Sequence, residues 1–340
     1  MFVLLSLEKM KDGGITYYIL PNTLLDNYYE DKVRQKILTN NILLEVCDLC
    51  DSVFESAVVH SMVIGYQRKK VSHYDIKIKT DTLDCPPTYI PHQYFVEQEQ
   101  CSISYRNYKY QGLFDKLSNK SVNLQEVLDI KQTIKTGNDK IYITTEKLAD
   151  NFKPILRGKD ICRFGYKYSG LYVNYGKHLA NCIRYDIFEQ PKILIREAGA
   201  TIVATYDENN YYIMSSLYNG ILKDKSYKLK YLLGLINSKV FQFLMNKITF
   251  EKTKGAFTKA RIFHYYALPV KIAGSNTQNE LVNLVDEAMA IKEKDFKADI
   301  NNIETKIDIF VYRLYGLTFD EVLIIDPMPP FTREEYERDF

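Results

Sequence analysis

The 340-residue chain contains no tryptophan and has no run of about 18 apolar residues. The second absence excludes a membrane-spanning helix. Charge of one sign is also missing in bulk. Lys and Arg number 45 against 43 Asp and Glu, a net charge of +2, so any surface for nucleic acid must come from local clustering. The six cysteines do not form a ligand set. Cys47 and Cys50 make one C-x-x-C with no second pair of matching spacing, whereas a structural zinc site needs four ligands. Cys47 lies in a strand-like run, where residues three apart face opposite sides. Buried free thiols in a reducing cytoplasm are therefore expected, with no metal. The N-terminus has no basic leader and no small-residue cleavage site, so no signal peptide is expected. What remains, 46% hydrophobic and 26% charged residues with 28 tyrosines, has the composition of a soluble globular protein of about two domains.

The most informative stretch is residues 231–270, YLLGLINSKVFQFLMNKITFEKTKGAFTKARIFHYYALPV. Leu232, Leu235, Ile236, Val240, Phe243 and Leu244 recur at helical spacing. Lys252, Lys254, Lys259 and Arg261 then surround Gly255-Ala256 and Phe257, and Leu268-Pro269-Val270 reads as a return strand. A basic loop mounted on a buried helix can hold a phosphate backbone; a solvated lysine loop is the plainer reading.

The other elements follow from periodicity and breakers. A helix ends at Gly13-Gly14. Strand-like runs cover 15–20, 42–49 and 58–68, with a helix before the second. Residues 69–100 read as a connector, because Pro86, Pro87 and Pro91 forbid regular helix; Ser72 to Lys79 could be an edge strand. Asp129 to Thr144 reads as strand–turn–strand around Gly137, with Lys135 at the turn facing either DNA or solvent. Arg157, Lys159 and Arg163 cluster at Gly158, where basic groups can approach phosphates and Arg can read guanine. Arg196 ends an apolar strand and could face DNA or pair internally with Glu197 or another acid. After Gly274 a long amphipathic helix, or two helices broken near Lys294 to Lys297, closes the chain. The tail from Pro327 reads as exposed.

Several stretches resemble one family. The order LLGLINSKVFQFLM, TKGAFTKARIF, YALPV and the segments IKTGNDKIYI and KPILRGKDICR resemble the TaqI-like C-terminal specificity domain. The segments KDGGITYYILPNTLL, VRQKILTNNILLEVCDL and VFESAVVHSMVIGYQRKK resemble the later part of the catalytic domain of class-gamma N6-adenine-specific DNA methyltransferases and type IIG restriction–modification enzymes.

The resemblance implies an α/β remnant, the end of a Rossmann-like methyltransferase sheet, followed by an α+β target-recognition domain and a long C-terminal helical segment. It places the catalytic-domain portion at 1–80, a connector at 81–114, the recognition domain at 115–272, the closing helices at 273–326 and an exposed tail at 327–340. It further implies that Phe54 stacks on a flipped-out target adenine, as an extruded base needs; a core aromatic is the alternative. Lys135, Arg157, Lys159, Arg163, Arg196, Lys252, Lys254, Phe257, Lys259 and Arg261 become the candidate DNA-binding residues. No glycine-rich turn for S-adenosylmethionine and no Asn/Asp-Pro-Pro-Tyr motif occurs in the chain. Cys85-Pro86-Pro87-Thr88 is only faintly similar. No catalytic, cofactor or metal residues are therefore assigned, and S-adenosylmethionine belongs to the complete enzyme. The expected function is recognition of a duplex DNA target, with a missing N-terminal catalytic fragment as partner. A nuclease, which would need clustered carboxylates, and a subunit pairing through an open sheet edge are the competing readings.

Overall fold

The computed structural model describes residues 2–49, 61–80, 84–182, 184–248 and 260–338. Two compact units divide the chain, Met1–Gln111 and Gly112–Phe340. Both mix α and β.

The first unit opens with helix α1 (Phe2–Lys9) and turns at Gly13, whose φ of 79° suits a residue without Cβ. Strand β1 (Ile15–Pro21), helix α2 (Asp31–Asn40), and strands β2 (Ile42–Asp48), β3 (Ser61–Gln67), β4 (Asp75–Thr80) and β5 (Thr88–Pro91) follow, then helix α3 (His92–Val96). The sheet order is β1-β3-β2-β4-β5. Only β2 and β4 run parallel; the other neighbours are antiparallel. Alternation decides which face is buried: Tyr18 and Leu20 of β1, and Ile64 and Tyr66 of β3, join the core with Val3, Leu7, Ile37 and Leu38.

Two expectations are corrected here. β4 is not an edge strand, because β5 covers its free side. The stretch read as a connector is built into this unit. Ile90, Phe95 and Ile103 are core residues. The fully buried Arg34 of α2 donates to the carbonyls of Leu24, Asn27 and Gln100. Buried Asp48 accepts from the Tyr105 hydroxyl at 2.8 Å and from Arg106 at 2.7 Å. Prolines kept this stretch neither from packing nor from forming the short helix α3 directly after Pro91. Cys47 is a buried free thiol on β2, and no group of metal ligands exists among the described residues. Cys50 and Phe54 lie outside the described residues.

The second unit begins with helix α4 (Gln111–Ser118), strand β6 (Ser121–Asn123), helix α5 (Leu124–Val127) and strand β7 (Leu128–Lys131). The hairpin expected at 129–144 does not form. After β7 the chain passes through helix α6 (Asp139–Tyr142) into the short strand β8 (Ile143–Thr144), which belongs to a different sheet. Asn138 caps α6 through a bond from the Lys140 amide, so the turn that looked like a hairpin starts a helix. Next come β9 (Phe152–Leu156), β10 (Ile161–Cys162), β11 (Gly165–Tyr166), β12 (Tyr172–Asn174), β13 (Lys192–Arg196), β14 (Ala204–Asp207), β15 (Tyr212–Ile213) and β16 (Leu217–Leu222). They build two four-stranded sheets, β14-β13-β16-β7 and β15-β9-β12-β8, and the pair β10-β11.

The helix read across 231–244 is two helices, α7 (Leu229–Asn237) and α8 (Lys239–Ile248). Ser238 separates them with ψ of 157°. Asn237, buried to 1%, accepts from the Ala204 amide at 3.0 Å and donates to the Ala204 carbonyl at 2.9 Å. Its amide thereby acts as one more residue beside β14. The Ser238 hydroxyl donates to the Leu235 carbonyl, and Asp308 accepts from the Lys239 amide at 2.8 Å. Burial pushes the Asp308 carboxyl up to about 7. Helix α9 (Ile262–Tyr266) was not foreseen; it precedes β17 (Pro269–Lys271), which pairs with β6.

Helices α10 (Ser275–Lys294) and α11 (Asn301–Leu314) break where charge interrupts the apolar spacing, and α12 (Phe319–Ile325) and α13 (Arg333–Glu337) follow. The tail from Pro327 is largely exposed, as expected, but it is also anchored. Thr332 and Glu335 form a capping box that starts α13, and Tyr336 is 5% exposed, its hydroxyl donating to the Leu317 carbonyl at 2.8 Å. The polar Arg-Glu-Glu-Tyr-Glu segment concealed one anchor.

Candidate nucleic-acid interface

Hydrogen bonds join five turns of the second unit into one continuous rim. The first is the turn after β9. Asp160, 6% exposed, accepts from the Arg157 amide at 2.8 Å and lies 3.5 Å from its guanidinium. The Gly158 amide donates to the Ser216 hydroxyl at 2.8 Å. A Cβ added at Gly158 would stand 3.3 Å from Ser216, tighter than ordinary contact, so this close approach favours glycine. The second turn follows β13: the Glu197 amide donates to the Ser216 carbonyl at 3.0 Å. Ala198, Ala200 and Thr201 are exposed there. The third, at Ser215 and Ser216, is tied to the fourth by the Ser215 amide, which donates to the Ile134 carbonyl at 2.9 Å; Lys135 comes next. The fifth is the entry to α9, where Tyr218 Oη lies 3.1 Å from the Ala260 carbonyl and 3.3 Å from Glu197. Burial and the Glu197 charge hold that phenol above its ordinary range.

The rim carries exposed cations at Lys135, Lys159 and Arg261. Lys135 and Lys159 enter no ion pair among the described residues. The same turns carry the short residues Gly158, Ser215, Ser216, Ala198, Gly199, Ala200 and Thr201. Short side chains flanked by cations let a polyanion approach the backbone closely, and amides and hydroxyls at such turns can bond phosphate oxygens.

Two of the candidate residues bond within the second unit, as one of the two readings of Arg196 allowed. Arg196 donates through Nε to the Gly158 carbonyl at 2.8 Å and through its terminal nitrogen to the Ile161 carbonyl. Arg163 pairs with Glu304 at 2.8 Å and donates to the Asn237 carbonyl. Among the described residues the partners of Arg196 are carbonyls, not Glu197. A guanidinium has five donors in a planar fork, so it can close a turn from inside as readily as it can read a base. Sequence cannot distinguish the two uses. Arg157, paired to Asp160, is half-buried beside the rim. Lys252, Lys254, Phe257 and Lys259 lie outside the described residues. The small-residue segments at 198–201 and 215–216 were missed. Their signal was present as runs of Ala, Gly, Thr and Ser between strands.

Residues 153–270 match the model of the family described as TaqI-like C-terminal specificity domain. This is the domain that the sequence motifs implied, and the match includes the turns at 158, 197–201, 215–216 and 260–261. Among curated proteins, the type II methyltransferase M.BanIII of Aneurinibacillus aneurinilyticus is 22% identical over 196 residues, which cover 45% of this chain and 33% of that protein. The chain therefore spans about a third of the length of this relative. Similar solved structures are the type IIL restriction–modification enzyme MmeI in complex with DNA (TM-score 0.49, 9% identity, 98% of this chain and 51% of that one) and the type IIG restriction endonuclease BpuSI (TM-score 0.39, 11% identity, 99% and 49%).

Proposed function

We propose that the second unit recognises a target sequence in duplex DNA, as the specificity part of an adenine-N6 DNA methyltransferase of a restriction–modification system. The observation that carries this is the coincidence of the matched stretch 153–270 with most of a rim of small residues and exposed cations. Lys135, Lys159 and Arg261, with Lys252, Lys254 and Lys259, would neutralise phosphates. Arg157 and Arg261 are the candidates for base contacts, and Phe257 would enter a groove.

The first unit would be the end of the Rossmann-like catalytic sheet, with Phe54 against the target adenine. S-adenosylmethionine would be the methyl donor of the complete enzyme, and this chain's described residues do not fit it. Gly13 and Gly14 lie ahead of β1, their backbone bonded to Arg68. The Tyr17 ring occupies the space over Gly65, where an added Cβ would stand 2.3 Å from it. None is free at the end of a strand to receive the cofactor. On this reading the methyl-transfer site would belong to a catalytic part that complements this chain.

A salt series tests the reading. In the Lys135→Ala/Lys159→Ala/Arg261→Ala variant the slope of log K against log[salt] should fall by about one unit for each phosphate no longer neutralised, or about three in all. An unchanged slope in a folded variant would show the rim to be an ordinary solvated surface.

A further inference from the structure

Glu197 brings a half-buried carboxylate to a rim that also carries Lys135, Lys159 and Arg261. Its backbone is fixed, because its amide donates to the Ser216 carbonyl at 3.0 Å. Its side chain lines a cleft of about 40 Å³ together with Gly199, Thr201, Gln242, Asn246 and Ala260. Inside the cleft its Oε1 accepts from the hydroxyl of Tyr218 at 3.3 Å, a side chain only 2% exposed. Gln242 braces the same cleft. Its Oε1 accepts from the Ile202 amide at 2.6 Å, and its Nε2 donates to Asn246 at 2.9 Å. A carboxylate accepts at several lone-pair positions, so one phenol does not saturate it. The cleft has room for water or an exocyclic group, not for an extruded base.

An acid on a surface that meets DNA is repelled by every phosphate nearby. Only a hydrogen-bond donor on the duplex can offset this, and the donors exposed in its grooves are amino groups of the bases. In the major groove cytosine shows its N4 amino group and no acceptor. Adenine sets the N7 acceptor beside its amino group, guanine and thymine show acceptors, and guanine's own amino group lies in the narrower minor groove. An acceptor-only side chain matches cytosine best. We infer that Glu197 is a specificity-determining residue, which accepts from the N4 amino group of one cytosine of the target. This rests on the function proposed above. Tyr218 is then the positioning residue that aims the carboxylate from behind.

The test is selection from random duplexes by the unaltered full chain and by the Glu197→Gln and Glu197→Ala variants, each checked for folding by circular dichroism. The unaltered chain should enrich a sequence containing a C·G pair at which both variants lose roughly tenfold in discrimination, within the usual range for one base contact. The other positions should stay the same. The Gln variant should admit adenine at that pair, because a carboxamide offers both the donor and the acceptor that adenine needs. Affinity for bulk duplex should not fall in either variant, since a repelled charge is gone. A second arm leaves the protein unaltered and places N4-methylcytosine at the pair. Its methyl group takes the place of the major-groove hydrogen while pairing with guanine persists, so binding should weaken roughly tenfold, and the Ala variant should not respond. The same enriched sequence in all three proteins, a changed position that holds no cytosine, loss of preference at every position at once, or indifference of the unaltered chain to the methyl group would each overturn the role of Glu197 and leave the proposed function standing. Enrichment of no sequence by the unaltered chain would sink the proposed function, and this inference with it.

Discussion

Replacing Asp207 by alanine should destabilise the second unit by about 3–5 kcal/mol, the cost of leaving a buried charge unpaired. Lys192 and Asp207 are direct cross-strand partners on β13 and β14, 2.5 Å apart and both 0% exposed. Burial outweighs the attraction of Asp207 and lowers the Lys192 ammonium from its usual range. The pair is tolerated because its remaining valences are filled. Lys192 also donates to the Phe188 carbonyl at 2.7 Å, and Asp207 accepts from the amides of Asn209 at 2.9 Å and Tyr211 at 3.1 Å. The Lys192→Met/Asp207→Asn double variant removes the charges together and keeps an acceptor for the turn, so it should lose less than the single Asp207→Ala change. Urea unfolding of the full chain, followed by circular dichroism, checks the order. A loss below about 1 kcal/mol for Asp207→Ala would place the pair among exposed ion pairs and contradict the burial.

Arg196→Ala should have the second largest effect, and a functional one. It leaves the Gly158 and Ile161 carbonyls, whose bonds are half-buried, without their donor, at up to about 1–3 kcal/mol for each acceptor that water does not reach. It also frees the turn that displays Lys159. Duplex affinity should therefore fall roughly tenfold, about 1.4 kcal/mol, under conditions where the variant remains folded. Arg196→Lys should recover little, since an ammonium lacks the planar fork that reaches both carbonyls. Binding titrations beside unfolding curves separate the two outcomes. Reduced stability with unchanged affinity would limit Arg196 to scaffolding.

Much of the architecture was legible because local signals agreed with the fold. Gly13-Gly14 ended α1, strand-like apolar runs marked β1 to β3, and the charge-rich interruption near Lys294 separated α10 from α11. The failures share a cause: they turn on contacts remote in sequence. β7 and β8 look like a hairpin, yet β7 finds β16 and β8 finds β12. The prolines of the connector gave no hint that Arg34 and Asp48 would bind it to the sheet. Arg163 and Arg196 looked like Lys159 in every local respect; distant carbonyls and Glu304 decided their direction. The Asn and Ser of the LINS segment were visible as a motif, but not their tasks of pairing with Ala204 and breaking the helix.

The central claim is that this chain chooses among DNA sequences. Selection from a pool of random duplexes by the full chain, near physiological salt and with poly-anionic competitor present, tests it most directly. The expected result is enrichment of one short sequence. That sequence should be held roughly a thousandfold or more above bulk duplex, the usual lower bound for specific recognition. Lys159→Ala should lower retention of all sequences alike without changing the one enriched. Retention of every duplex to the same extent, or of none, would contradict the account.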